Sequence, residues 1–360
     1  MKLLIPAHRT NIAEVAAAAG VSVGTVSRVL NESPNVRDAT RQRVIEVMRR
    51  LNYRPSRLAT RLSRGSPGTV VLLVPFLTRP SSAARLAGAL GVLEKQGYDA
   101  ILCNVETPAQ LERHLSALTA RHGAEGAVIM SLRLRREQLA AIREARLPVA
   151  MVDTEAPGVP CTIADDIEGG RLAAEHLIGL GHRRIAFIGD RYDAHLGFVS
   201  TRRRLLGYRR AMAAGGLRYE PGLVRLGEHA AAEAAAMTAE LLRLPSPPTA
   251  IFAASDTQAL GVLAAAERAG CRVPADLAVI GYDDIDSAAQ LGLSTVRQPL
   301  RDSGASGASQ LCAVLSGQQG RPLRRLLPLT VVTRATTARL NYRPLRPARA
   351  GPVATALTGS

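Results

Sequence analysis

Tryptophan is absent from this chain of 360 residues, and phenylalanine and tyrosine make up only 3% of it. The core must therefore be built from aliphatic side chains, and any site that needs a broad aromatic face has few residues to draw on. Lysine is nearly missing as well: Lys2 and Lys95 stand alone, so arginine carries the positive charge. The four cysteines, Cys103, Cys161, Cys271 and Cys312, lie far apart and fit neither zinc nor CxxC spacing, which points to isolated buried thiols. No apolar run reaches the ~18–20 residues of a membrane span. The opening MKLLIPAHRT has a three-residue apolar run before a proline, too short for a secretory core, so a cytoplasmic location and no membrane partner are expected.

What the chain does have is charge of one sign at its ends. The net charge is +16, yet residues 67–320 balance at 26 basic against 26 acidic side chains. Residues 1–66 hold twelve Lys/Arg against four acids, and residues 321–360 hold eight Arg and no acid. Localised basic charge is an electrostatic footprint for polyanions. A bias in base composition accounts for Arg in place of Lys but not for the neutral middle.

Residues 11–53 read as three short helices. Asn11 with Glu14 makes a capping-box pattern before a helix from Ile12 to Ala19, and Gly20 stops it. A second helix follows Ser22 and ends near Leu30; a third covers Ala39 to Leu51 with Val44, Val47, Met48 and Leu51 on one face. A turn this short holds two helices at a steep angle. The second helix opens on Val23 and Gly24, where an ordinary surface helix would carry Glu or Lys. A bare first turn suits end-on entry into the major groove: Gly24 lets backbone approach, Val23 offers a methyl surface to thymine, and Arg28 reaches a phosphate or guanine. Ser22 and Thr25, at the helix N-terminus, suit contact with the DNA backbone. A helical hairpin in an ordinary core shares the same spacing.

From Val70 the texture changes. The apolar runs TVVLLVP, AVIM, VAMV, RRIAFIG, TAIFAA and LAVIGY alternate with helical stretches such as AARLAGALGVLEKQG and EGGRLAAEHLIGLG. Buried strands separated by helices indicate doubly wound parallel sheets, and the region is long enough for two. The tail after Leu340 has no periodicity and reads as disordered.

The stretch NIAEVAAAAGVSVGTVSRVLNESPNVRDATRQRVIEVMRRLNYRP resembles the DNA-binding headpiece of the lactose/galactose repressor (LacI/GalR) family, with EVA, AGVS, TVSRVLN and LNYRP in register. The resemblance implies that Val23 and Gly24 hold the two main base-reading positions, with Thr25, Ser27, Arg28 and Asn31 as neighbouring DNA contacts. Those two positions are often larger and polar in the family, and Arg37 replaces the usual serine cap of the third helix. SRLATRLS resembles the family's hinge helix, which places a minor-groove wedge at Leu62, with Leu58 and Ala59 packing between paired hinges and Arg57 among the residues facing phosphates. A flexible linker with two chance leucines is the competing reading.

Residues 69 to about 340 resemble the family's effector core, related in fold to periplasmic sugar-binding proteins, through ADDIEGGRLAAEHLIGLGHRRIAFIG, IFAASDTQALGVLAAAERAG and VPADLAVIGYDDIDSAAQLGLSTVRQPL. The implied fold class is α/β: an all-α helix-turn-helix headpiece (1–54), a hinge (55–68), a two-subdomain effector core (69–340) and a basic tail (341–360). The core divides into an N-subdomain (69–160 and 294–325) and a C-subdomain (161–293 and 326–340), with crossings near Cys161, Leu293 and Leu326. By resemblance Arg204 and Asp283 match the family's ligand arginine and carboxylate, and Ser255 takes a hydrogen-bonding position. Asp256 and Asp153 are further candidates at strand ends. Carboxylates with an arginine suit vicinal hydroxyls, because each makes paired hydrogen bonds. Where members often carry an aromatic NPFF turn this chain has Arg79–Ser82, RPSS, which leaves the choice between a sugar and a more polar or anionic ligand open, with Arg79, Arg191 and Arg202 as candidate anion contacts.

The resulting expectation is a repressor that binds a palindromic double-stranded operator as a homodimer, pairs through Ala83–Lys95, answers to a small-molecule effector and needs no cofactor. A sugar-binding protein without gene control shares the core but not residues 1–66. An enzyme with a DNA-docking module would need a motif such as HExxH or a P-loop, and neither is present. The seven histidines have no metal-ligand spacing and read as surface or capping residues. A wedge at Leu62 unstacks a base step at a cost of about a few kcal/mol. Leu62→Ala should therefore weaken operator binding much more than binding to random DNA; equal losses on both duplexes in a titration rule the wedge out.

Overall fold

Asn11 opens the first helix of the computed structural model, which describes residues 11–30, 33, 35–51, 53, 68–120, 124–191, 196, 198–318 and 324–337. The expectations for Asn31, Arg57, Leu62 and the tail lie outside these residues. In the headpiece, α1 (Ile12–Ala19) is capped by the Asn11 side chain, which accepts from the Glu14 N–H at 3.0 Å. It ends at Gly20, whose φ of 62° turns the chain out of the helix and lets Val21 N–H reach the Ala16 carbonyl. This turn sets α2 (Val23–Leu30) at 104° to α1. α3 (Asp38–Arg50) starts one residue earlier than expected; Arg37 makes no side-chain cap, while Asp38 stands in the first turn, where a negative charge suits the helix dipole. Val15, Ala16, Ala19, Val26, Val44 and Val47 form the centre of a small aliphatic core.

The rest of the chain builds two lobes. The first begins with β1 (Thr69–Pro75), α4 (Pro80–Lys95), β2 (Asp99–Val105), α5 (Pro108–Ala120) and β3 (Gly126–Met130). It continues through α6 (Arg136–Glu144), β4 (Val149–Val152) and β5 (Cys161–Ala164). The second lobe holds α7 (Asp166–Gly179), β6 (Ile185–Asp190), α8 (Ser200–Ala214), β7 (Val224–Gly227), α9 (Ala231–Leu242) and β8 (Ala250–Ala253). Then come α10 (Asp256–Arg268), β9 (Ala278–Asp283), α11 (Asp286–Gln290) and β10 (Ser294–Arg297). α12 (Leu300–Leu315) and β11 (Arg324–Leu327) return to the first lobe, and β12 (Thr330–Val332) to the second.

The first sheet is parallel, in the order β11-β5-β4-β3-β1-β2. The second runs β12-β10-β9-β8-β6-β7 and is parallel except for the antiparallel pairing of β12. Alternation along β1 sends Val71 and Leu73 into one core layer and Val70, Leu72 and Val74 into the other. Each fully buried aliphatic side chain of this kind contributes about 1.5–3 kcal/mol, which is why both faces of the sheet carry helices.

Sheet membership moves the lobe boundaries. β5 belongs to the first sheet, so the first crossing follows Ala164 rather than Cys161; β10 belongs to the second, so the second crossing follows Arg297. The third falls between Leu327 and Thr330. Short runs such as CTIA and STVR carry no periodic signal that tells one sheet from another. All four cysteines are free thiols, with Cys161 buried and the other three half-buried.

The helices that carry the cleft residues cross very closely. A Cβ on Gly207 of α8 would lie 1.9 Å from the Ile167 carbonyl oxygen, and one on Gly170 of α7 2.0 Å from the Arg204 carbonyl oxygen. In the first lobe, Gly88 of α4 and Gly304 of α12 stand in the same relation, a Cβ on Gly304 falling 1.8 Å from the Arg85 carbonyl oxygen. Backbone on both sides leaves no flexible atom to yield. Gly207→Ala should destabilise the chain by about 1–3 kcal/mol, the usual cost of overpacking, seen as a lower urea midpoint at unchanged slope.

Candidate functional site

The N-terminus of α2 faces outward. Ser22 caps it, its Oγ accepting from the Thr25 N–H at 3.2 Å and lying 3.0 Å from the Thr25 hydroxyl. Val26 and Val29 turn into the headpiece core, while Ser22, Val23, Gly24 and Arg28 are exposed, Val23 at 45%. Thr25 and Ser27 are half-buried beside them. Gly24 has no positive φ, and a Cβ there would meet only the Ser22 Oγ at 3.8 Å. Nothing among the described residues requires a glycine at this position.

The second site lies between the lobes, where the carboxyl ends of β1, β3 and β4 face those of β6, β8 and β9. At these ends Phe76, Ser131, Asp153, Asp283 and Asp284 have φ of 44°, 52°, 62°, 115° and 60°. Left-handed backbone at non-glycine residues is strained, and its concentration here marks positions held by their surroundings. Arg204, on α8, is buried; its Nε donates to Asp166 at 2.8 Å and its Nη1 to the Ala254 carbonyl at 2.6 Å. Its guanidinium lies 3.6 Å from the centre of the Tyr282 ring, with Asp283 at 4.0 Å. Arg85, on α4, donates to Gln298 at 3.0 Å and pairs with Asp153 at 3.1 Å, and the Ser131 hydroxyl donates to the same carboxylate at 2.8 Å. Gln298 in turn donates to Asp283. These contacts form one buried polar network spanning both lobes.

At the mouth, Asp190 holds His229 at 3.0 Å and accepts from Gln258 at 2.8 Å. Phe76 and Phe198 meet at 5.9 Å, with the Arg79 guanidinium 4.0 Å from the centre of the Phe76 ring. The centre encloses about 60 Å³ and the mouth about 190 Å³. Both are below the ~300–1,000 Å³ of ordinary ligand pockets, so the polar side chains leave little room at the centre of the cleft.

Four of the five expected cleft residues, Asp153, Arg204, Ser255 and Asp283, line this space. Asp256 does not. At the first position of α10 its side chain points back under the helix, accepting from the Ile285 N–H at 2.9 Å and the Thr295 hydroxyl at 2.6 Å. Ser255 lines the cleft and also caps α10 through the Gln258 N–H at 3.2 Å. Arg79 and Arg191 line the mouth, whereas Arg202 lies in a different cavity. Two histidines depart from a surface role: His182 is buried against Thr249, and His229 is a cleft residue.

Sequence reasoning missed Arg85, Asp166, Asp190, His229 and Gln298. A signal for Arg85 existed: RLAG at Arg85–Gly88 repeats as RLLG at Arg204–Gly207, each on the helix after the first strand of its lobe. Burial pushes the Asp166 and Asp283 carboxyls up while Arg204 pulls both down, and both remain raised. Burial also works against the charge on Arg204, but Asp166, Tyr282 and Asp283 outweigh it and keep the guanidinium protonated.

The family model described as "Bacterial regulatory proteins, lacI family" matches residues 11–56, and a "Periplasmic binding protein-like domain" model matches residues 174–337. The chain is 30% identical to the HTH-type transcriptional repressor PurR of Aliivibrio salmonicida (strain LFI1238), over 91% of this chain and 99% of that protein. Among solved structures it is similar to a transcriptional regulator CelR–cellobiose complex, with 32% identity, a TM-score of 0.67, and coverage of 91% of this chain and 100% of that one. The lac repressor dimer bound to operator and the anti-inducer ONPF gives 28% identity and a TM-score of 0.77, covering 92% and 100%. A helix-turn-helix module with an open recognition turn, on a chain that continues into a two-lobed clamshell, defines a DNA-binding transcriptional regulator. This chain belongs to the lacI family of bacterial regulatory proteins. No single described helix is long and apolar enough to cross a membrane.

Burial pushes Asp256 up to about 7, Asp283 adds repulsion, and the bonds from Thr295 and Ile285 oppose the rise. A folded-state value above the ~3.9 of an unfolded aspartate means that its stabilising contribution is complete at low pH and is lost as pH climbs through that range. Asp256→Asn removes the titration, so its urea midpoints should vary less than those of the parent chain between about pH 4 and pH 7.

Proposed function

We propose that this regulator represses by binding a two-fold operator as a homodimer and senses a small polar metabolite, a sugar or a related polyol, in the interlobe cleft. The observation that carries the reading is the buried network from Asp153 through Arg85, Gln298 and Asp283 to Arg204. A ligand with vicinal hydroxyls exchanges its own hydrogen bonds for these and so biases how the lobes close, and closure and DNA binding then share one equilibrium. The cleft lining has three arginines against three aspartates, which favours a neutral ligand over an anion. The relatives support the class: one is a complex with cellobiose, another a dimer on operator DNA.

Ser22, Val23, Gly24, Thr25, Ser27 and Arg28 meet DNA in this reading, with Asn31, Arg57 and Leu62 completing the contacts. Asp153, Arg204, Ser255 and Asp283 hold the effector, joined by Arg85 and Gln298. Pairing of two chains is supported by β2, an edge strand that exposes Ile101 at 50% and Leu102 at 43%, next to the α4 surface at Ala83 and Ala84. Apolar side chains on an open edge call for a covering partner.

Duplexes selected from random DNA by the full chain should converge on a palindrome. Gly24→Leu tests the recognition turn, because the new side chain meets open space in the free protein and improves helix propensity by up to ~1 kcal/mol. It should leave urea stability equal or higher while weakening binding to the selected duplex at least about tenfold, or ~1.4 kcal/mol. Unchanged affinity would remove Gly24 from the interface.

A further inference from the structure

A second cavity, of about 550 Å³, opens between the lobes beside the central cleft and shares only Asp153 with it. Its first-lobe wall comes from the segments after β3 and β4 and from β5, and its second-lobe wall from the start of α7 and from α8. α8 has two faces. Tyr208, Ala211 and Met212 pack into the core of its own lobe, joined by Leu205 at the cavity's edge. Val199, just before the helix, and Arg202, Arg203, Leu206 and Arg209 follow one another at helical spacing and line the cavity. Val199 and Leu206 remain 37% and 39% exposed there, which an ordinary solvent face does not need.

The charge on this wall is not balanced from within. The three acids of the lining are already neutralised by arginines outside it: Asp166 by Arg204 at 2.8 Å, Asp153 by Arg85 at 3.1 Å, and Glu155 by Arg324 at 2.9 Å. Arg133 and Arg202 have no carboxylate partner among the described residues. Arg203 reaches Asp165 only at 3.7 Å, and its buried Nε has no hydrogen-bond acceptor among the described residues. Guanidinium groups left in this state fit an oxyanion that accepts several N–H bonds at once.

We propose that this chamber is a second ligand site, which takes an anionic small molecule with an apolar body, of the organic phosphate or carboxylate class. Arg133 from one lobe and Arg202 and Arg203 from the other clamp the anion, and Val199 and Leu206 cover the apolar part. Because the clamp bridges both lobes, its ligand acts on the closure described above; only this consequence rests on the proposed function, and the binding itself does not.

Phenyl phosphate serves as the probe, with inorganic phosphate and benzyl alcohol supplying each half of it alone. Titrated calorimetrically into the full chain without DNA, phenyl phosphate should bind more tightly than either half. The Arg133→Ala/Arg202→Ala variant, altered only at side chains without carboxylate partners, should bind it at least about tenfold more weakly. Asp283→Asn, altered in the central cleft, should bind it like the parent chain. Absence of binding to the parent, undiminished binding by the double variant, or loss confined to Asp283→Asn each overturns the chamber. None of these results touches the operator reading, since no DNA is present.

Discussion

A full positive charge buried on α8 is the constraint around which the effector core is arranged. An unpaired guanidinium in a protein interior costs several kcal/mol, so Arg204 dictates its own surroundings. Asp166 must start α7 at the lobe crossing, Ala254 must follow β8 with its carbonyl turned to the guanidinium, and the Tyr282 ring must lie under the guanidinium plane. Those partners reach it only because α7 and α8 come together without side chains between them, at Gly170 and Gly207. A packing choice on one helix pair thus becomes an electrostatic property of the cleft.

The first lobe repeats the device. Arg85 sits on the helix after β1 as Arg204 sits on the helix after β6, and each presses its backbone carbonyl toward a glycine of the neighbouring helix. Arg204 is satisfied mainly by its own lobe, whereas Arg85 reaches the second crossing at Gln298. The two lobes are therefore joined by buried polar bonds as well as by the apolar contact of Leu196 and Phe198 with the first-lobe core. Strained backbone at Asp153 and Asp283 aims their carboxylates into the same space.

Scarcity of aromatics shapes what remains. Phe187 and Phe252 meet edge to face at 5.2 Å inside the second lobe, leaving Phe76 and Phe198 for the cleft mouth. There Arg79 stacks on Phe76, so a cation over a ring closes the position where an aromatic turn was missed in the sequence. Among the described residues the centre of the headpiece core is aliphatic, with Tyr53 packed at its edge; small side chains at Ala16 and Ala19 allow α1 and α2 to cross.

The amino-acid sequence by itself determined whatever depends on neighbours a few residues away. Asn11 and Ser22 as caps, Gly20 as a left-handed stop, and the apolar runs of β1, β3, β4, β6, β8 and β9 were all legible, because helix periodicity, capping and strand burial act locally. The resemblance also located Arg204 and Asp283. The lobe to which β5 and β10 belong, the edge strands β2, β7, β11 and β12, and the roles of Arg85 and Gln298 were decided only in three dimensions. Arg85 meets Gln298 across 213 positions of chain, and no local pattern encodes such a pairing. Asp256 shows the same limit: beside Ser255 in sequence, it turns into the core because one residue's step around a helix start swings the side chain by about 100°.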